Sequence, residues 1–293
     1  MKYWDERLIQ EQMALYDKAY LVTGELKTEY TRTAQELVKD ITALYEKIQS
    51  GGATVNDLYK YDRLYRMLAE TNRKLRRLNA KEVKLLRHEF TDLFNANSAM
   101  LRRKFGFSAK PDSKTVLNVL KKIWAPDGLN WSERCWVDKA KLVQTLEKGL
   151  IDCVARGASR QELIRTIRDG FETSYGRADR LVRTELSYVQ TQSTLAQYQA
   201  EGVKRYVIID AGDYEGSGRN PERECEVCHT LAEAGPYPIE DAKTGVNLPP
   251  IHPNCRCTIA PYNESGVVGY LAGMTDEEVE AEKKRLQKEA LNK

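Results

Sequence analysis

The sequence predicts a mostly α protein with a small α+β module toward the C-terminus. Three observations carry this expectation. Apolar residues in the first half recur at helical spacing, with Tyr30, Ala34, Leu37, Ile41, Leu44 and Ile48 at alternating four- and three-residue steps. A β-branched and aromatic run, "VKRYVIID" at Val203–Asp210, reads as a strand. The stretch that follows, Ala211–Tyr262, holds seven of the nine prolines and five glycines, so its regular elements should be few and short. Four regions are expected: a long-helix, extended N-terminal part at 1–125, a helical middle at 126–202, a short-strand Pro/Gly-rich module at 203–263 and a charged helical tail at 264–293.

The elements follow in order. Ser50, Gly51 and Gly52 end the first helix, and Thr54 opens the next, with Asp57 three residues on as an approximate capping box. Leu64, Met67, Leu68, Leu75 and Leu78 supply its apolar face. A third helical stretch is expected from about Lys81 to Arg103. "APDG" at Ala125–Gly128 marks a boundary, and Trp124, Trp131 and Trp136 around it read as a packing anchor. A helix carrying Val137, Leu142, Leu146 and Leu150 comes next, broken by "RGAS" at Arg156–Ser159. Ser159 and Glu162 then form a capping box ahead of Leu163, Ile164 and Ile167. Arg177–Glu201 reads as one more helix, containing the triplet Arg183-Thr184-Glu185. A short strand is expected near Thr258 and Ile259, and Thr275 with Glu278 caps a charged helix to Leu291.

Composition sets the outer limits. At 293 residues the chain has room for about two structural units. Charged residues make up 30% and mean hydropathy is -0.60, a folded and not a disordered balance. The net charge of +3 argues neither for nor against nucleic acid. "MKYWDERLIQEQ" has no apolar core of a signal peptide, and no apolar run reaches membrane-spanning length, so a cytosolic start and no membrane partner are expected.

Local charge is less even. "RKLRRLNAKEVKLLR" carries seven basic residues and one acid: Arg73, Lys74, Arg76, Arg77, Lys81, Lys84 and Arg87 against Glu82. One reading is a face for phosphates or an acidic partner. The other is a solvated helix face with leucines packed beneath it.

The densest chemistry lies near the C-terminus. Four of six cysteines and two of three histidines fall between residues 225 and 257. Cys225 and Cys228 form a C-x-x-C knuckle; His252 and Cys255 repeat its spacing, and Cys257 follows. Two such pairs separated by a loop fit a tetrahedral, structural zinc site. A Pro/Gly-rich segment of this length buries little apolar surface, and a metal clip would offset its ordering entropy. Cys225, Cys228 and Cys255 are the firmest ligands, while His252 and Cys257 compete for the fourth place. His252 is favoured because H-x-x-C copies the first knuckle. Three other readings stand beside zinc: reduced buried thiols, disulfides and, from "CEVCH", a haem attachment box. The absence of an export signal weakens the last two. His229 follows a ligand directly, so its side chain is expected to point away.

Catalytic patterns are thin. There is no H-x-E with P-C-x-x-C and no H-E-x-x-H; His88-Glu89 lacks the second histidine. G-x-S-x-G, P-loop and dinucleotide fingerprints are missing too, and "EGSGRNPE" at Glu215–Glu222 reads as a loop. Four protein ligands would leave a metal no open position for water. Cys135 and Cys153 read as core thiols. Arg183 and Glu185 have two readings, a catalytic pair and, favoured over it, an ion pair tying their helix to the cysteine module. The protein is therefore expected not to be an enzyme.

Taken together, "LVRTELSYVQTQSTLAQYQAEGVKRYVIIDAGD", "CEVCHTL" and "LPPIHPNCRCTIAPY" resemble the phage minor head proteins, the Mu F-like head morphogenesis family. The shared features are the Arg183-Thr184-Glu185 helix, a strand, Cys225/Cys228 and the run from Pro249-Pro250 to Cys257. "WSERCWVDKAKLVQTLEKGLIDCVARGAS" is also similar to the family's middle region, so the likeness covers about Trp131–Tyr262. His229 after the second cysteine departs from it. The resemblance implies a virion component at the portal vertex, acting in head assembly and DNA packaging or delivery. The portal protein is its implied partner, with the major capsid or scaffolding protein and DNA as further ones. A metal-dependent nuclease-like enzyme and a DNA-binding module are the alternatives from other classes.

Overall fold

The computed structural model describes residues 2–50, 63–210 and 225–262. The glycines of the Ser50–Gly52 break, the Thr54/Asp57 capping box, the Glu215–Glu222 loop and the charged helix ending at Leu291 lie outside these residues, as does the region 264–293. The chain is mostly helical, with one small sheet. In order the elements are α1 (Lys2–Ser50), α2 (Arg63–Phe105), α3 (Ser113–Lys121), α4 (Trp131–Ala155), α5 (Arg160–Ala200), β1 (Arg205–Ile209), α6 (Glu226–Glu233), β2 (Tyr237–Pro238) and β3 (Thr258–Tyr262).

Two expected helix breaks are absent. Arg63–Phe105 is one helix of 43 residues, because no glycine or proline interrupts it and Leu75, Leu78, Leu86 and Phe90 run on as one buried face. Gly106, at φ 66°, follows its end. Likewise Arg160–Ala200 is one helix of 41 residues that passes through Gly170 and Gly176 without a break. Its end is built by Gly202, at φ 74°, with Val203 N–H reaching Tyr198 O at 3.0 Å. The break between α4 and α5 falls as expected. Gly157, at φ 65°, lets Ala158 N–H reach Cys153 O at 2.8 Å. Ser159 Oγ accepts from Glu162 N–H at 3.3 Å, but the Glu162 carboxylate pairs with Arg156 at 2.8 Å instead of closing a capping box. Asn130 does form a full capping box with Glu133 at the start of α4.

The chain forms two compact units, taken here over their described residues. The helical unit comprises Leu15–Thr91 and Leu120–Leu186. Cross-helix pairs fix its architecture. Lys18 meets Glu89, Lys81 meets Glu29 and Lys74 meets Asp40, so α1 and α2 run antiparallel. Trp131 lies edge-on to Phe90, Lys139 meets Glu82 and Val154 packs with Leu64, so α4 runs antiparallel to α2. Asp138 to Ser174 and Arg134 to Glu185 orient α5 against α4, and Tyr175 to Thr23 with Phe171 on Tyr30 orient it against α1. Each helix thus has two antiparallel neighbours, the arrangement of a four-helix bundle. Its core includes Tyr30, Leu37, Ile41, Leu75, Leu78, Leu142, Leu146, Leu150, Leu163, Ile167 and Phe171.

Several expected core positions differ. Val137 is 39% exposed and Trp136 49% exposed, so neither anchors packing. Trp131 does: it is 5% exposed and donates its indole N–H to Leu120 O at 2.9 Å. α4 approaches α5 closely at Gly149, where an added Cβ would meet Thr166 Cγ2 at 2.5 Å.

The bundle interior also holds charge. Glu82, 1% exposed, accepts from Tyr30 OH at 2.9 Å and from Lys139 Nζ at 2.7 Å. Lys139 also sits 4.7 Å above the Tyr30 ring and 3.3 Å from Asp138. Asp138 is further bonded by Ser174 and Arg177. Asn79, one turn before Glu82, is fully buried, and its amide has no partner.

The second unit comprises Met1–Ala14, Asp92–Val119 and Ser187–Lys293. Its sheet has the order β2-β1-β3, all antiparallel, with Arg205 opposite Pro238 and Ile208 opposite Ile259. Its core joins the end of α2 (Met100, Leu101, Phe105), Phe107, Leu195 and Tyr198 of α5, the sheet residues Tyr206, Ile208 and Ile259, and Cys228, Cys255 and Cys257. Between α2 and α5 the packing is polar. Asn97 bonds Thr194 Oγ1 at 3.0 Å, Ser98 bonds Gln197 at 3.0 Å, and Ser193 bonds Phe94 O at 2.9 Å.

Candidate metal centre

Two tight turns bring the cysteines together. Cys225 occupies the N-cap of α6, and Cys228 lies in the first turn, where His229 N–H reaches back to Cys225 O at 3.0 Å. The second knuckle folds through Asn254, at φ 60°, a left-handed conformation that asparagine tolerates better than most residues. Cys255 N–H closes that turn onto His252 O at 3.1 Å.

All five expected ligands converge. Cys225, Cys228 and His252 form one group and Cys228, Cys255 and Cys257 another, the ligand atoms of each group lying within 4.8 Å of one another. Cys228 belongs to both. Its Sγ is 3.2 Å from His252 Nε2 and 3.8 Å from Cys255 Sγ. Cys228, Cys255 and Cys257 are at most 2% exposed, and Cys225 is half-buried. Four thiols and an imidazole in a partly buried cluster are the donor chemistry of a zinc-type site, with one donor more than a tetrahedral ion needs. These groups can hold a metal ion.

The donors already share charge. At Cys255, hydrogen bonds from the Cys228 and Cys257 thiols outweigh burial and hold the thiol well below its ordinary range. The partners answer in the opposite sense: Cys228 is pushed up foremost by Cys255, and Cys257 by Cys228 and then Cys255. His252 is raised to about 9, chiefly by its hydrogen bond to Cys255. Its Nδ1 is fixed 2.8 Å from Pro253 O, which leaves Nε2 for the cluster. At Cys225 burial raises the pKa, but hydrogen bonds from Cys228 outweigh it and bring the thiol down.

His229 turns away from the cluster, as expected. Its Nδ1 lies 2.8 Å from the buried Asp210 carboxylate at the end of β1, and its Nε2 lies 3.5 Å from Glu233. Asp210 was not legible as a partner, although the strand reading that ends on it fixes its position.

Two expectations need correction. The cysteine module does not stand alone, because its buried thiols share a core with α2, α5 and the sheet. Apolar burial therefore contributes where the sequence suggested that only metal could. Glu185 does not tie its helix to that module. It binds Arg134 at 2.5 Å and accepts from the Trp124 indole at 3.2 Å, inside the helical unit. Arg134 also clasps Asp127 at 2.8 Å, and Arg183 reaches Asp179, one turn back, at 3.0 Å. Burial pushes Glu185 up to about 7, and Arg134 and Trp124 pull it back only in part.

The basic run of α2 divides. Lys74 pairs with Glu36 and Asp40, and Lys81 with Glu29, so both stitch α2 to α1. Arg73 and Arg76 bind Glu70 and Asn72 on their own helix and, with Arg77, line a groove of ≈ 590 Å³ whose far wall carries Glu147. Lys84 and Arg87 are exposed.

A mostly helical chain with a small antiparallel sheet and a cysteine–histidine cluster is the class of protein these features define. Residues 144–260 match the model of the family described as Phage Mu protein F like protein, so the resemblance seen in the motifs holds over this segment. It runs from α4 through the Arg183-Thr184-Glu185 helix and both knuckles to β3. Among curated proteins and solved structures, none matches the chain. Among the described residues, no helix is long and apolar enough to cross a membrane.

Proposed function

We propose that the chain is a phage minor head protein: a structural and interaction component of the virion, associated with the portal vertex and acting in head assembly and DNA packaging or delivery. One observation carries this reading. The family match spans the helix, sheet and knuckles as a continuous block, 144–260, and the five clustered donors lie within it. The clip is structural and binds zinc through Cys225, Cys228, Cys255 and either His252 or Cys257. Four protein ligands fill a tetrahedral ion and leave no position for an activated water, which supports a role without catalysis.

Association is tested by co-expressing the chain with the portal protein of the same genome and separating the products by size. Co-elution in a fixed ratio is expected. Separate elution, together with absence of the chain from purified heads, would refute the reading. The metal is tested on protein purified without chelator. About one equivalent of zinc by mass spectrometry is expected, and less than about half an equivalent with free thiols would remove the clip.

A further inference from the structure

α2 carries a line of cations that the metal centre does not use. At 100° per residue, Arg66, Arg73, Arg76, Arg77, Lys84 and Arg87 fall within about 100° of one another around the helix axis, over about 31 Å. All six are exposed. The residues between them on this stripe include Ala69 and Ala80, both exposed and small. No acid lies on the stripe: Glu82 is buried against Lys139, and Glu70 stands at the edge, bonded to Arg73 at 2.8 Å. Arg73, Arg76 and Arg77 also line the groove toward α4.

We propose that this stripe binds the phosphate backbone of duplex DNA. The reading extends the head-protein proposal by naming nucleic acid as a direct partner, and it rests on α2 alone. A straight row of guanidinium and ammonium groups separated by alanines offers repeated charge without large apolar anchors. That suits a polyanion read through its phosphates. A protein partner would instead call for buried aromatic or aliphatic anchors at the centre of the patch.

The test uses the full chain and a fluorescent duplex of about 20 base pairs, with anisotropy measured from about 50 to 200 mM salt. If five phosphates are engaged, the log–log salt slope should be about −4.5, a loss of several hundred-fold in affinity over that range. Arg73→Gln/Arg77→Gln/Lys84→Gln should flatten the slope by about 3. Lys39→Gln/Lys141→Gln/Lys148→Gln removes equal charge from exposed sites off the stripe and should leave the slope within half a unit. Circular dichroism melts of both variants, matching the parent, confirm that folding is intact. Three results would each overturn the proposal: no binding at 50 mM salt, an unchanged slope in the stripe variant, or tighter binding of an acidic peptide of equal charge than of the duplex. Because no portal protein is present, these failures leave the head-protein reading standing.

Discussion

Lys139→Met isolates what the buried charges of the bundle contribute. Lys139 is 3% exposed and Glu82 1%, so both charges are out of water. Asp138 would survive the change, since Ser174 and Arg177 also bind it. Glu82 would not: it would keep only neutral donors, the Tyr30 hydroxyl at 2.9 Å and the Cys135 thiol, and Asn79 makes no hydrogen bond to it. Leaving a buried carboxylate without its counter-charge costs about 3–5 kcal/mol. Replacing both partners with apolar groups of similar volume is often neutral or stabilising, by about 1–4 kcal/mol. Lys139→Met should therefore lose about 3–5 kcal/mol in urea unfolding followed by helical ellipticity. Lys139→Met/Glu82→Leu/Tyr30→Phe, which also removes the orphaned hydroxyl, should regain most of it. A loss under about 1 kcal/mol for the single change would refute the reasoning, since Glu82 would then be solvated or otherwise paired.

Other expectations are as direct. Glu185 has a folded pKa of about 7 against an ordinary 4.5, so its contribution is complete below about pH 4.5 and is lost as pH rises toward 7. The change is about 3 kcal/mol, and Glu185→Gln should flatten this part of the stability–pH curve; an unchanged curve would assign the dependence elsewhere. Gly149→Ala and Gly176→Ala should act with opposite sign. The first meets Thr166 at 2.5 Å and should lose about 1 kcal/mol net, while the second meets nothing within 4 Å and should gain up to about 1 kcal/mol. Equal melting shifts for the two would contradict the close α4–α5 approach. Metal binding must displace protons held by Cys228 and by His252 or Cys257, so apparent affinity against a competing chelator should rise at least about tenfold per pH unit between 6 and 8. A flat profile would mean that the ion takes other ligands.

The sequence showed more about where residues gather than about what they touch. The Tyr30-to-Leu44 seam was visible because heptad spacing is local, and it does face the bundle interior. The two knuckles were visible for the same reason, since C-x-x-C and H-x-x-C fix short turns. Helix continuity was harder. A separate helix was expected from Arg177, but α5 runs on from Arg160, and α4 packs so closely at Gly170 that an added Cβ there would meet Leu146 at 3.0 Å and Leu142 at 3.3 Å. Partners distant in the chain were hidden altogether. Nothing near Glu185 marks Arg134, 51 residues upstream, as its counter-charge. Nor does a Pro/Gly-rich stretch reveal that Tyr198 and Phe105 from distant helices complete its core.

The shared position of Cys228 has a kinetic consequence. An ion held by Cys225, Cys228, Cys255 and His252 would have a spare thiol, Cys257, within reach of two of its ligands. Exchanging His252 for Cys257, with loss of the Cys257 proton, would pass such an ion from one coordination set to the other without leaving it bare. A loaded site would then release metal outright slowly yet hand it quickly to an incoming ligand, because each swap would break one bond while three are kept. Cys228, which belongs to both donor groups, would be the pivot of that exchange.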